Sequence, residues 1–75
     1  MDRAAVSSSN LAAIGWEPDA EGSENGILEV EFQSGPVYQY ADVPRYLYES
    51  LLHANSVGRA FNQMIVRDYE GQRIE

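Results

Sequence analysis

The chain of 75 residues has no cysteine and no lysine, and His53 is its single histidine. Without cysteine there is no disulfide and no thiolate metal site, so the fold must rest on packing. With one histidine and no serine in a recognisable nucleophile motif, neither a metal triplet nor a catalytic triad assembles around His53. No metal and no cofactor is expected. Five arginines oppose twelve carboxylates, for a net charge of −7. That balance repels phosphate backbones at long range and disfavours non-specific nucleic-acid binding. Long apolar runs are missing too. Met1–Asn10 contains no secretory h-region, and no segment of transmembrane length follows, which gives the expectation of a cytoplasmic location.

What is present fits one domain over residues 1–75, with an ordered core of about 8–66 and a polar tail at 67–75 that is extended or disordered. A chain this short buries only about 60–65% of its unfolded surface, so its stability is on the order of 4–8 kcal/mol. The charge is unevenly placed. Glu17–Glu24 is an acidic loop, whereas Arg45, Arg59, Arg67 and Arg73 all lie in the second half.

Residues 1–9 are small and polar and read as a frayed start. Leu11–Trp16 reads as a first strand ending at Pro18, and Asn25-Gly26 as a turn into the next. Leu28-Glu29-Val30-Glu31-Phe32 alternates strictly, putting three apolar side chains on one face and Glu29 and Glu31 on an acidic outer face. Its hairpin partner is Val37–Tyr40. A three-residue loop, Gln33-Ser34-Gly35, with Gly35 left-handed, sets Val30 opposite Tyr38 and Leu28 opposite Tyr40. That register gathers the large side chains on one face, and a slip of one residue would expose them all.

Pro44 suits the first position of a helix running to about Ala54, with Asp42 adding negative charge near its N-terminus. Leu47, Tyr48, Leu51 and Leu52 form its apolar face. Ser56 caps a second helix in which Val57, Phe61 and Ile65 recur every four residues. The order β-β-β-α-α predicts an α+β domain: a three-stranded antiparallel meander followed by two helices packed on one face.

Four blocks in order carry a family resemblance. They are Ser8-Ser9-Asn10-Leu11 with Ile14-Gly15-Trp16, Leu28–Phe32 with Ser34-Gly35, Val37-Tyr38-x-Tyr40 with Val43-Pro44, and Ser56-x-Gly58-x-x-Phe61-Asn62. Over roughly residues 7–69 the chain resembles the KTSC domain family. That family is named for its place at the C-terminus of some lysyl-tRNA synthetases, and it also occurs as small stand-alone bacterial proteins. Through the synthetase association the resemblance implies RNA binding; the absence of any visible acid–base pair in the residues themselves gives the expectation of a non-enzymatic module.

Several residues are candidates for contact with a ligand. Arg45, Arg59 and Arg67, with Tyr46 or Tyr69, make a phosphate patch; alternatively they are solvated and pair with Glu49, Asp68 and Glu70. Ser56-Val57-Gly58 offers N–H groups to an anion beside Arg59, with Asn62 as a nearby hydrogen bonder. Gly58 costs helix stability of about 1 kcal/mol against alanine, which close packing would also explain. Trp16 is either a core lid or an exposed contact residue. Tyr38 and Tyr40 fall on the apolar face, as core tyrosines with hydroxyls at the rim rather than base-stacking platforms. With Gly35, Pro44, Gly58 and Phe61 they are structural. No catalytic residue is expected. The function expected is a binding module for RNA, tRNA-like or otherwise structured. The alternative is a protein–protein module using the acidic strand face and loop, in a monomer or weak dimer.

Overall fold

The computed structural model describes residues 1–75. They form a five-stranded antiparallel sheet in the order β1-β2-β3-β4-β5. The strands are β1 (Ala4–Ala5), β2 (Leu11–Pro18), β3 (Asn25–Phe32), β4 (Val37–Pro44) and β5 (Gly71–Arg73). Between β4 and β5 lie α1 (Arg45–Leu52), α2 (Val57–Phe61) and a π-helical segment, Asn62–Val66. The α+β class and both helices are as expected, but the sheet has five strands rather than three. The extra two are short edges made by the polar ends of the chain, where no apolar alternation marks a strand. Backbone pairing holds them: Ala4 and Ala5 face Ile14 and Ala13, and Gly71 and Arg73 face Tyr40 and Tyr38.

Turn chemistry fixes the centre of the sheet. Phe32 N–H donates to Pro36 O and Gly35 N–H to Phe32 O, both at 2.9 Å, closing Gln33-Ser34-Gly35 as a three-residue loop. Gly35 takes φ 114°, which a side chain would resist. Leu28 accordingly faces Tyr40 and Val30 faces Tyr38.

Two bulges then break the alternation. Leu11 and Ile14 are an odd number apart, as are Tyr40 and Val43, yet all four are buried. A register shift between Leu11 and Ala13 and another opposite Gly26–Leu28 return each strand to the core face. Asp42, at φ 60°, turns the second bulge, a conformation aspartate tolerates better than most residues. It therefore serves the strand, and the first turn of α1 carries no acidic residue. Pro44 stands one place before its expected position, at the N-cap of α1.

Asn25-Gly26 is not a turn. Both residues lie in β3 opposite Pro44 and Val43, and the reversal is made by Asp19–Glu24, where Ser23 N–H donates to Ala20 O at 2.9 Å. Gly26 is there for space. A Cβ on it would overlap the Glu17 carbonyl oxygen and stand 2.8 Å from Trp16 Cζ2.

One core joins the sheet to the helices. Leu11, Ile14, Leu28, Val30, Tyr40 and Val43 meet Leu51, Val57, Ala60, Phe61 and Ile65. Phe61 sits edge-on to Tyr40 at 5.6 Å and to Phe32 at 5.8 Å between ring centroids. The other face is polar, but it is not the plain acidic face expected. Glu29 is only 5% exposed, because Arg3 from the N-terminal arm lies over it and Gln39 flanks it.

Candidate functional site

A cleft of about 790 Å³ opens where the chain enters β2 beside the start of α2. One wall is Ser7–Asn10; the other is Asn55–Arg59, extended by Asn62 and Gln63. Each wall is built locally. Ser8 Oγ accepts from the N–H groups of Asn10 and Leu11, both at 3.2 Å, which curls the serine run into β2. Gln33 ties that curl to the β3–β4 loop: its Nε2 donates to Ser8 O and Leu11 O at 3.2 Å, and its N–H donates to Asn10 O at 2.8 Å. Opposite, Ser56 Oγ accepts from Arg59 N–H at 3.3 Å and starts α2. Gly58 faces Ser8, whose Oγ lies 3.3 Å from where a Cβ would stand. The packing reason for this glycine is thus the approach of the serine loop.

The π-helical segment begins at Asn62 and places Asn62 and Gln63 on the cleft. Single π turns inside helices recur at functional sites. Val57 is the one hydrophobic residue of the cleft; serine, asparagine and glutamine make up most of its walls. Arg59 is its only charged side chain, and none of the twelve carboxylates lines it. Small-molecule sites of this size, about 300–1,000 Å³, are as a rule mostly apolar. This one presents hydroxyls, amides and a single guanidinium, a surface rich in hydrogen-bond donors and acceptors.

The expected contact residues do not form one patch. Arg59 and Asn62 are in the cleft. Trp16 is six residues from Asn10 along β2, about 20 Å at strand rise. There it lies stacked on Tyr48 at 6.5 Å with an interplanar angle of 18°, and its Nε1–H donates to Val43 O at 2.8 Å. Arg45 covers its outer side, with Cζ 4.6 Å from the ring centroid. Trp16 is thus a half-buried lid with an arginine over it. Arg67 follows the π segment, exposed and outside the cleft. Of the three arginines only Arg59 lines the cleft; all three are solvent-exposed, as the second arrangement has it, but none pairs with Glu49, Asp68 or Glu70, since the only salt bridges join Arg3 to Glu29 and Glu31. His53 is exposed at the C-cap of α1. No group of three His, Cys, Asp or Glu side chains is placed to hold a metal.

Tyr38 and Tyr40 lie on the core side of β4, and Gly71 of β5 is what admits the second ring: a Cβ there would be 2.6 Å from Tyr40 Cε2. Burial first, and then the neighbouring Tyr38, raises the pKa of Tyr40 above 10.0. The Tyr69 hydroxyl is raised as well, first by burial and then by Tyr46, Asp68 and Asp42. Ser7–Asn10, Asn55 and Gln63 were not among the expected contact residues. The available signal was that Ser8-Ser9-Asn10 and Ser56-x-Gly58, two separate blocks of the family pattern, become the two walls of one cleft.

A small α+β domain whose helical half packs on an antiparallel meander, with a polar cleft at one end, defines the class. Within it the chain belongs to the KTSC domain family, whose model matches residues 7–69. An uncharacterised protein of Stutzerimonas stutzeri is 45% identical over 64 residues, covering 85% of this chain and 83% of its own. A protein of Tsukamurella paurometabola is 35% identical over 60 residues, covering 80% and 82%. The crystal structure of a KTSC domain protein from Yersinia pestis superposes with a TM-score of 0.84 at 35% identity, over 99% of this chain and 97% of that one. No helix here is long and apolar enough to cross a membrane.

Proposed function

We propose that this KTSC domain is a non-enzymatic binding module and that its ligand is RNA, held in the cleft between Ser7–Asn10 and Asn55–Gln63. One observation carries the reading. On a chain of net charge −7, the largest concavity excludes every carboxylate and contains an arginine. A phosphodiester needs a cation and hydrogen-bond donors at close range, and the cleft supplies Arg59 with serine hydroxyls and asparagine amides around it. The net negative charge of the chain opposes any phosphate not seated there, which favours a structured, tRNA-like ligand over indiscriminate binding. Trp16 and Arg45 fall outside this site; the stacking of Arg45 on Trp16, and of Trp16 on Tyr48, supports a structural role. In cells the module acts in the cytoplasm, as a monomer or weak dimer.

An amide chemical-shift titration of the labelled protein, with bulk tRNA and with a short single-stranded RNA, tests the reading. Salt-sensitive shifts at Ser7–Asn10 and Asn55–Gln63 are expected. The absence of shifts even at low salt would end it. Shifts confined to Trp16, Arg45 and Arg67 would move the site out of the cleft.

A second reading, contact with a protein partner through the acidic loop, is favoured by one feature. Glu17, Asp19, Glu21 and Glu24 are all exposed around the β2–β3 reversal. None of them is paired with a cation.

A further inference from the structure

The outer edge of β2 is closed by residues 1–6, an arm with little apolar hold. Ala4 and Ala5 are exposed and pair with β2, Val6 N–H adds one further bond to Ala12 O at 3.1 Å, and Val6 is the arm's single anchor in the core. Just before them the Asp2 carbonyl oxygen lies where a Cβ on Gly15 would stand, so Gly15 is the notch that lets the arm's backbone cross the strand. Arg3 then reaches over the polar face of the sheet. Its Nη1 donates to Glu29 Oε2 at 2.7 Å, and its Nε lies 3.4 Å from Glu31 Oε1. Gln39 Nε2 donates to the other Glu29 oxygen at 2.8 Å. Two carboxylates thus meet one cation, and the slot keeps a negative charge even when it is filled.

We propose that the β2 edge, with the Glu29–Glu31 pair behind it, is a docking slot for an extended basic segment of a partner polypeptide, and that the arm is its built-in occupant. The arm shows what fits: a basic residue, two small residues and an apolar one, lying antiparallel to β2, as in Arg3-Ala4-Ala5-Val6. Arginine suits the first position, because its planar fork can address two carboxylates at once. A partner segment with a second cation nearby would neutralise the charge the arm leaves over. A terminal element this short, held by two paired residues and one further backbone bond, belongs to the low-stability end of a fold, where local opening concentrates. Its displacement also stops short of the cleft, since Ser8, Gln33 and the Asn10 and Leu11 N–H groups hold the serine curl independently. The Glu29–Glu31 pair lies on the opposite face of the sheet from the helices, and the slot does not depend on the RNA reading.

The test uses full-length protein carrying Arg3→Ala, which removes the cation but keeps the chain. A synthetic peptide of wild-type residues 1–9 is added in trans. Saturable binding is expected, with amide shifts at Ala12–Trp16 and Glu29–Glu31 and a rise in Tm of about 4–8 °C. The same peptide carrying Arg3→Glu should bind at least about tenfold more weakly. Wild-type protein, its slot already filled, should bind the wild-type peptide more weakly than the variant does. No binding to the variant, equal binding of the charge-reversed peptide, or shifts elsewhere would overturn the proposal. Should Arg3→Ala fail to fold, Arg3→Lys, which keeps a cation but loses the fork, takes its place with the same expectations. Full chains carrying Arg3→Glu and Glu29→Arg are also mixed. A heterodimer formed only on mixing would overturn the partner assignment in favour of a second copy of the chain.

Discussion

Gly26→Ala is the substitution that most sharply separates the observed sheet from the one its local sequence suggests. If Asn25-Gly26 were a hairpin turn, an alanine would cost no more than the strain of a positive φ, about 1–2 kcal/mol. In the structure Gly26 lies inside β3, opposite Val43, with the neighbouring strand's Glu17 carbonyl and the Trp16 ring filling the space a Cβ needs. The carbonyl belongs to a paired backbone and cannot rotate away. Strands β2 and β3 must separate locally, an overpacking cost of about 1–3 kcal/mol. Moving the indole also strains the Nε1–H···O bond to Val43, worth about 1 kcal/mol. The sum, about 2–4 kcal/mol, is a large part of what so small a domain has, and it corresponds to a fall in Tm of roughly 10–25 °C. Urea unfolding followed by the fluorescence of Trp16, the sole tryptophan, gives the value. Gly22→Ala is the control: φ is 79° and nothing lies within 4 Å of the added Cβ, so only the strain of the positive φ applies. A loss at Gly26 no larger than at Gly22 would refute the packing argument.

Other expectations are more easily stated. Ser56→Ala should cost about 0.5–2 kcal/mol in urea unfolding, because Arg59 N–H loses its capping oxygen. At alkaline pH the fold should weaken. Tyr40 and Tyr69 have folded pKa values above 10.0, so the unfolded chain loses these protons first; stability is full below pH 10 and falls as pH rises past it. Tyr40→Phe should flatten that fall in urea midpoints measured from neutral pH to about pH 11, and an unchanged slope would remove Tyr40 as its source.

Where side-chain pattern and turn chemistry agreed, the sequence was readable. Leu28, Val30 and Phe32, together with Gly35, determine both the face and the register of the central hairpin. Val57, Phe61 and Ile65 likewise determine the buried side of the second helix. Reading fails where the cause is long-range. Ala4–Ala5 and Gly71–Arg73 become strands only because β2 and β4 offer free edges. Gly26 is explained by Trp16 and Glu17, and the burial of Glu29 by Arg3, 26 residues earlier. The site follows the same rule. Arg59 and Asn62 could be named as polar residues near a helix start, but their partners Ser7–Asn10 are brought to them by the tertiary fold alone. Arg45, equally basic in sequence, is drawn off by Trp16.

The central claim is that Arg59, in its carboxylate-free cleft, is the cation that meets RNA. The measurement that bears on it most directly is the tRNA affinity of Arg59→Ala against wild type at low and moderate salt, with Arg45→Ala in parallel. A loss of about 1 kcal/mol and a salt slope shallower by about one unit are predicted for Arg59→Ala, with Arg45→Ala near wild type. Unchanged affinity for Arg59→Ala, or a larger loss at Arg45, would contradict the account.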